Sequence, residues 1–415
     1  MKGLKGALIF GQSGGPSSVI NSSAAGVFIE ALKHSDVITK VYGAHHGIKG
    51  ILDEDFFDIG QEDMKELELL KNTPSSALGS VRYKLKSPDV DETDYKRLLE
   101  VFKKYNIRYF FYNGGNDSMD TCNKVSKYMQ KSGWDINVIG VPKTIDNDLY
   151  GTDHCPGYGS AAKYVATSIM ELKLDSTVYN TGMFCIIEVM GRNAGWLTAA
   201  AQLASYAGLG ADLIYLPETP FDIDEFLASV KKVLDANDNK CMVVVSEGIR
   251  NAEGKYVGEF TASKTDLFGH AQLGGVGAML AQMVKEKYGV KTRAIEFSLL
   301  QRCAAHLASK VDVEEAFACG SEAVKAAING ETDKMVCLIR EEGKDYVCKP
   351  QLMDVALAAN TEKKIPESWI LPAGQGLTKD FVDYALPLIQ GDCKAPLENG
   401  LPRFARLKKV QAVNK

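Results

Sequence analysis

The chain has 415 residues, 45% hydrophobic and 24% charged, the balance of a soluble globular protein with room for two or three compact units. A formal net charge of −5 gives no general attraction to nucleic acid or anionic lipid, so an anionic ligand must be met by locally placed Lys, Arg and backbone N–H groups. No apolar run approaches the roughly 20 residues of a bilayer span, the N-terminal residues lack the apolar stretch of a signal peptide, and nine scattered cysteines without a CxxC pair fit reduced thiols in a cytoplasm.

Short β-branched and aromatic runs alternate with segments of helical period. A strand is expected at Ala7–Phe10, then the turn Gly11-Gln12-Ser13-Gly14-Gly15-Pro16-Ser17-Ser18, then a helix over Asn21–Leu32. Without a Cβ, Gly14 and Gly15 let backbone N–H groups approach an anion, and the helix N-terminus adds favourable partial charge. The turn is neither a GxGxxG nor a P-loop, and by itself it is equally a tight turn before a helix. A strand at Val37–Tyr42 and a helix at Tyr95–Tyr105 lead to the strand Tyr109–Tyr112. Beyond it comes Asn113-Gly114-Gly115-Asn116-Asp117-Ser118, at the strand end where open α/β sheets bind ligands. Ser118 reads as the N-cap of a helix over Met119–Gln130. Asp117 has no evident structural duty; a carboxylate there either holds a metal or repels an anion.

The strand Val138–Val141 ends in Pro142-Lys143-Thr144-Ile145-Asp146-Asn147-Asp148. Two carboxylates two residues apart in an extended turn can divide the work, one removing a hydroxyl proton and the other orienting or holding a metal. Lys143 supplies a movable positive charge where phosphoryl oxygens gather. Polar loops are often only capped turns; the specific signal is the whole string at a strand's carboxyl end. A helix at Ala161–Leu172, a strand at Phe184–Val189, a helix at Ala194–Tyr206, a strand at Leu213–Leu216, a helix at Phe226–Leu234 and a strand at Met242–Ser246 continue the alternation. It argues for mainly parallel sheet with helices on both faces. Helices follow at Gly275–Tyr288, after a Gly-rich loop, and at Glu314–Ile328. Lys334–Arg340 and Asp345–Lys349 read as a hairpin around Glu341-Glu342-Gly343-Lys344, and the basic tail from Leu401 is expected to fray.

Over residues 4–330 these segments resemble the phosphofructokinase family, and within it the pyrophosphate-dependent branch. Gly14-Gly15 matches the family's first phosphate loop, Gly114–Ser118 its GGDGS turn, and Pro142–Asp148 its signature around the catalytic base. Glu188-Val189-Met190-Gly191-Arg192 matches its sugar-phosphate motif. The resemblance implies that Asp146 takes the proton of the sugar C1 hydroxyl, with Lys143, Asp117 and Arg192 completing the catalytic group. Thr144 and Asp148 would support metal-bound phosphates. Met190, Gly191 and Glu247, in Ser246-Glu247-Gly248, would hold the sugar, Arg293 and Arg302 its 6-phosphate, and Arg82 the phosphoryl donor. Asn116, Asp117 and Asp148 are the implied holders of Mg²⁺.

The implied fold is α/β, two Rossmann-like three-layer domains with mainly parallel sheets and the active site in the cleft between them. Residues 1–155, with a chain return near 311–330, would form the diphosphate domain. Residues 156–310 would form the sugar-phosphate domain, and 331–415 an extension packed on the core, to which no motif assigns chemistry. The implied partners are diphosphate and fructose 6-phosphate in a homodimer or homotetramer, with no nucleic acid or membrane. ATP-using relatives carry glycine at the positions of Asp117 and Lys143. An Asp carboxylate near an α-phosphate costs several kcal/mol in a partly desolvated site, while Lys143 neutralises a leaving phosphate. An ATP-dependent enzyme and a non-catalytic regulatory subunit are the alternatives; the intact Asp146, Lys143 and Arg192 argue against the latter. A dehydrogenase needs a true GxGxxG, which the first turn fails. The chain departs from the family pattern at Asn116, in place of an aspartate, at Met183, in place of an arginine serving a neighbouring subunit, and at Leu299, in place of His or Tyr.

Overall fold

Strands buried on both faces must be apolar throughout and must hand their chain to helices that cover those faces. The chain meets this condition twice. The computed structural model describes residues 4–258, 275–343, 345–359 and 361–412. Its first sheet takes β1 (Gly6–Gln12), β2 (Ile38–Ala44), β3 (Phe56–Asp58), β4 (Ile107–Gly114) and β5 (Asn137–Pro142). The second takes β6 (Met183–Val189), β7 (Leu213–Tyr215), β8 (Lys240–Ser246) and β9 (Thr292–Glu296). The chain then returns to the first sheet with β10 (Lys334–Arg340) and β11 (Cys348–Asp354).

The seven-stranded sheet has the order β11-β10-β5-β4-β1-β2-β3, parallel except for its two edge strands. The four-stranded sheet, β7-β8-β6-β9, is wholly parallel. In the first sheet the chain leaves β1 toward β2 on one side and β4 on the other. That places a crevice at the carboxyl ends of β1 and β4, where open sheets accept ligands.

The expected strands and helices are all present. Ala194–Tyr206 divides into Trp196–Ala199 and Ala201–Tyr206. The polar edge strand β9, Thr-Arg-Ala-Ile-Glu, and the three-residue β3 carry too little apolar pattern to be read beforehand. The hairpin's second strand begins at Cys348, three residues later than expected, and β10 pairs parallel with β5 at Lys334↔Ile139. Residues 334–354 therefore complete the first sheet. Lys344 and most of the Gly-rich loop before Gly275 lie outside the described residues.

The return is anchored by two helices, Ile20–Leu32 and Lys310–Ile328, packed backbone to backbone. A Cβ on Gly26 would stand 2.1 Å from the Phe317 carbonyl oxygen, and one on Gly320 2.0 Å from that of Ser23. The expected fraying of the tail is corrected: Asp58 N–H donates to Val410 O (2.9 Å), Ala412 N–H to Phe56 O (2.8 Å), and Arg403 pairs with Glu66. Backbone bonds to β3 and a half-buried ion pair outweigh the tail's basic composition. No described helix is long and apolar enough to cross a membrane.

Candidate active site

At the end of β1 the chain turns through Gly14, whose φ of 75° disfavours any residue with a Cβ. Ser80 Oγ donates to Gly14 O (2.6 Å) and Gly14 N–H to Val81 O (3.4 Å), which brings Arg82 beside the turn. Lys143 crosses from the end of β5, and its Nζ donates to Gly15 O at 2.5 Å. A Cβ on Gly15 would stand 2.9 Å from Arg302 Nη1. Three cations thus converge on one glycine turn. Lys143 is only 5% exposed. Burial pushes its pKa down to about 8; Asp146 and Asp148 oppose the shift, and the charges of Arg302 and Arg82 add to it.

Lys143 leads into the turn 144–148. Asp146 N–H donates to Thr144 Oγ1 (3.1 Å). Asn147 is in the left-handed region at φ 55°. Its Oδ1 accepts from Cys155 N–H (2.9 Å) and its Nδ2 donates to Tyr384 Oη (2.8 Å). Burial holds the carboxyls of Asp146 and Asp148 above their ordinary range. Lys143 and Arg192 oppose the shift at Asp146, while Asp146 and Glu362 reinforce it at Asp148.

Asn116 faces Asp148. In one amide orientation Nδ2 donates to Asp148 Oδ2 (3.4 Å); in the flipped one it donates to Ala358 O (3.1 Å) and Thr361 O (3.2 Å), and the amide oxygen turns toward the Asp148 carboxyl. In that orientation an amide oxygen and a carboxyl oxygen lie side by side, a pair that suits a hard divalent cation once Asp148 is ionised. Aspartate at 116 would set its oxygens against two carbonyls, which gives a physical reason for the departure from the family pattern. Asp117 sits in the first turn of the helix Asn116–Lys131, where the helix dipole favours a carboxylate, and pairs with Lys84 at 3.2 Å. It has a structural duty after all. Ser118 is not the N-cap; Gly115 is, and Ser118 packs under Gly114.

On the other side, β6 ends in Met190-Gly191-Arg192. Gly191 has φ 143°, and a Cβ there would meet Ala194 O at 2.8 Å. Its N–H donates to Glu247 Oε1 (3.3 Å), and Ser246 Oγ donates to its carbonyl (2.5 Å), fixing the ends of β6 and β8 to each other. Met190 N–H donates to Gln301 Oε1 (3.3 Å), next in sequence to Arg302. Burial pushes Glu247 up to about 7, with Asp146 adding to the shift and Arg192 opposing it. Asp146, Arg192 and Glu247 therefore share one electrostatic site. Arg192 Nε is buried with no hydrogen-bond partner among the described residues, a donor that an incoming anion would satisfy.

The phosphofructokinase family pattern matches residues 7–327. The chain belongs to the phosphofructokinase family. It is 44% identical, over 98% of its length and 97% of the relative's, to the pyrophosphate–fructose 6-phosphate 1-phosphotransferase of Halomonas elongata. To the enzyme of that name from Xanthomonas campestris it is 45% identical, over 99% and 98% of the two chains. The solved pyrophosphate-dependent phosphofructokinase of Nitrosospira multiformis superposes with a TM-score of 0.89 at 41% identity, covering 99% of this chain and 98% of that one.

Of the family motifs, the structure brings together Gly14, Gly15, Arg82, Lys143, Thr144, Asp146, Asp148, Met190, Gly191, Arg192, Glu247 and Arg302. Arg293 is the exception. It pairs with Cys185 near the start of β6, about 10 Å before the carboxyl end of β9, and lies exposed on an edge strand. Glu188, inside the sugar motif, is buried and accepts from Gly275 N–H (3.1 Å) and Gly277 N–H (2.8 Å), so it caps the helix Val276–Tyr288. Reading the motifs also passes over Glu362, Lys363 and Tyr384, which approach the turn 146–153 from the C-terminal chain. No local signal marks them.

Proposed function

We propose that this phosphofructokinase-family chain transfers a phosphoryl group reversibly between inorganic diphosphate and the C1 hydroxyl of fructose 6-phosphate, giving fructose 1,6-bisphosphate and phosphate. The observation that carries the reading is Lys143, buried against the Gly14–Gly15 turn with Arg82 and Arg302 beside it and Asp146 next along the chain. Diphosphate lies on these three cations. The sugar lies against Met190–Arg192 and Glu247, its C1 hydroxyl toward Asp146. As the hydroxyl oxygen attacks the near phosphorus, its proton passes to Asp146, the bridging P–O bond breaks, and Lys143 neutralises the departing phosphate. Arg192, with an unspent donor, steadies the transferring group. Asn116, Asp148 and Asp117 are the residues that would hold Mg²⁺, which would supply charge neutralisation at the phosphoryl oxygens.

A purified-enzyme assay comparing donors tests this: diphosphate with Mg²⁺ should support turnover and ATP should not. Turnover with ATP alone, or full activity in excess chelator, contradicts it. The same assay reads the pH dependence. Lys143 loses its charge as pH rises through about 8, so kcat/KM for diphosphate should fall on the alkaline side. Asp146, its carboxyl raised by burial, must be ionised to accept a proton, so the acid limb should lie above the ordinary carboxylate range. A plateau from pH 5 to 10 would remove both groups.

The exposed Arg293 supports a homodimer or homotetramer in which this residue serves a neighbouring copy's sugar phosphate, read by sedimentation and by the fructose 6-phosphate KM of Arg293→Ala. A monomer with unchanged KM would refute it. The nine cysteines are free of disulfides, which supports a reducing cytoplasm.

A further inference from the structure

No motif assigns chemistry to the chain beyond β11, yet it closes on the catalytic turn at several points. Lys363 N–H donates to Asp148 O (2.7 Å), and Glu362 pairs with Leu149 in an antiparallel bridge. Lys363 Nζ donates to Thr152 O (3.2 Å) and Asp153 O (2.6 Å). The Tyr384 hydroxyl donates to Asp153 O (2.9 Å) and accepts from Asn147 Nδ2 (2.8 Å). The Ala358 and Thr361 carbonyls take the amide of Asn116 in its flipped orientation.

The same segment grips the loop that carries Arg192. Asn193 Nδ2 donates to Glu362 Oε1 (2.9 Å) and Trp196 Nε1 to Lys363 O (3.0 Å). One strap thus touches both halves of the site, the turn from β5 and the loop from β6.

Asn147 is the point of leverage. Asparagine adopts the left-handed region more readily than other residues with a Cβ, so what singles out Asn147 is that its amide is tied at both ends. Here a backbone N–H on one side and Tyr384 on the other fix both ends of the amide, and the residues flanking it are Asp146 and Asp148. If one end is released, the turn loses a tie at the residue between Asp146 and Asp148, and the aim of those two neighbours is less tightly fixed. Tyr384 can exert that hold because its own ring is wedged: Trp196 and Trp369 pack at 5.3 and 5.7 Å between centroids, and Arg340 lies over it while donating to its carbonyl (3.0 Å).

We infer that Tyr384, acting through the Asn147 amide, is a positioning residue for the phosphoryl-transfer turn, and that residues 361–384 form a strap setting the placement of Asp146 against Arg192. This rests on the reading of Asp146 as the base. Misplacing a reacting group by about 1 Å can cost on the order of 100-fold in rate.

The test is Tyr384→Phe in the full chain, which keeps the wedged ring and removes only the hydroxyl. Its kcat should fall roughly 10- to 100-fold, with KM for fructose 6-phosphate and diphosphate within about threefold of the parent. In an Asp146→Asn background the same change should cost less than about twofold, because the group being positioned is gone. A kcat within twofold of the parent, a loss matched by KM, or an equal proportional loss in both backgrounds overturns the inference, since a merely structural tyrosine behaves in those ways. Should Tyr384→Phe not fold, Asn147→Gly carries the test: glycine tolerates the left-handed backbone but lacks the amide, and unchanged kcat refutes the hold. An Asp146→Asn enzyme of near-normal turnover would sink the base assignment alone, and Tyr384→Phe in the parent would still decide the positioning role.

Discussion

Asp146→Asn is expected to lower kcat by about 100-fold or more while leaving the KM values for fructose 6-phosphate and diphosphate within a few-fold, the usual scale for a positioned general base. The substitution is nearly isosteric, keeps the backbone N–H bond to Thr144 Oγ1 and removes only the capacity to accept a proton. Stability should move the other way. Burial raises the folded-state pKa of Asp146, so the folded state binds more protons than the unfolded one above the ordinary carboxylate pKa, and this group's contribution grows less favourable as pH rises through that window. At pH 7 the neutral amide escapes that penalty, and thermal unfolding should show an equal or higher Tm. Loss of activity with retained or gained stability marks a functional carboxylate; near-normal turnover would remove Asp146 from the mechanism.

Lys143→Gly should lower kcat/KM for diphosphate by a factor on the order of 100 or more, as for the loss of one preorganised charge from a site that excludes water. Its Nζ reaches back to Gly15 O, so the variant loses both the charge and the tie that closes the glycine turn. Asp117→Gly acts on the other side of the donor question. It removes a carboxylate that now belongs to an ion pair with the half-exposed Lys84, and should admit ATP weakly without improving its turnover. The double variant should shift preference toward ATP more than either single one, because the two residues share one site. Measuring kcat/KM for both donors across the four enzymes settles it. If Asp117→Gly leaves ATP binding undetectable and diphosphate use unchanged, exclusion by that carboxylate is refuted.

Whatever is written in contiguous residues is legible in the sequence. The glycine turn after β1, the Gly114–Ser118 turn and the Pro142–Asp148 string are local, and each lies where its strand ends. Periodicity likewise yields the strands of both sheets apart from β3 and β9, which are short or polar. Three things are not local. Arg293 matches a motif, but its place at the start of an edge strand depends on register with β6. Asp117 gains its structural role from Lys84, on a loop that carries no periodic signal. The third is the strap: Asn147 and Tyr384 stand 237 residues apart, and nothing near either one indicates that they meet. Asn116, a departure from the family pattern in the sequence alone, has a physical reason once the Ala358 and Thr361 carbonyls are seen beside it.

The return of β10 to β5 also has a kinetic meaning. About 190 residues separate the two strands, and the whole four-stranded sheet is encoded between them. At ribosomal speeds of about 5–20 residues per second, β5 waits roughly 10–40 s for its partner. During that wait β5 presents an open, apolar edge to the solvent and to other nascent chains. The later-encoded sheet, whose strands all lie within residues 183–296, can assemble first, since its widest pairing, Phe184↔Thr292, closes a much shorter loop than Lys334↔Ile139, leaving the earlier-encoded one to finish last. Refolding from denaturant should therefore show a slow, aggregation-sensitive phase on which activity depends, because neither β10 nor Tyr384 can dock until that long loop has closed.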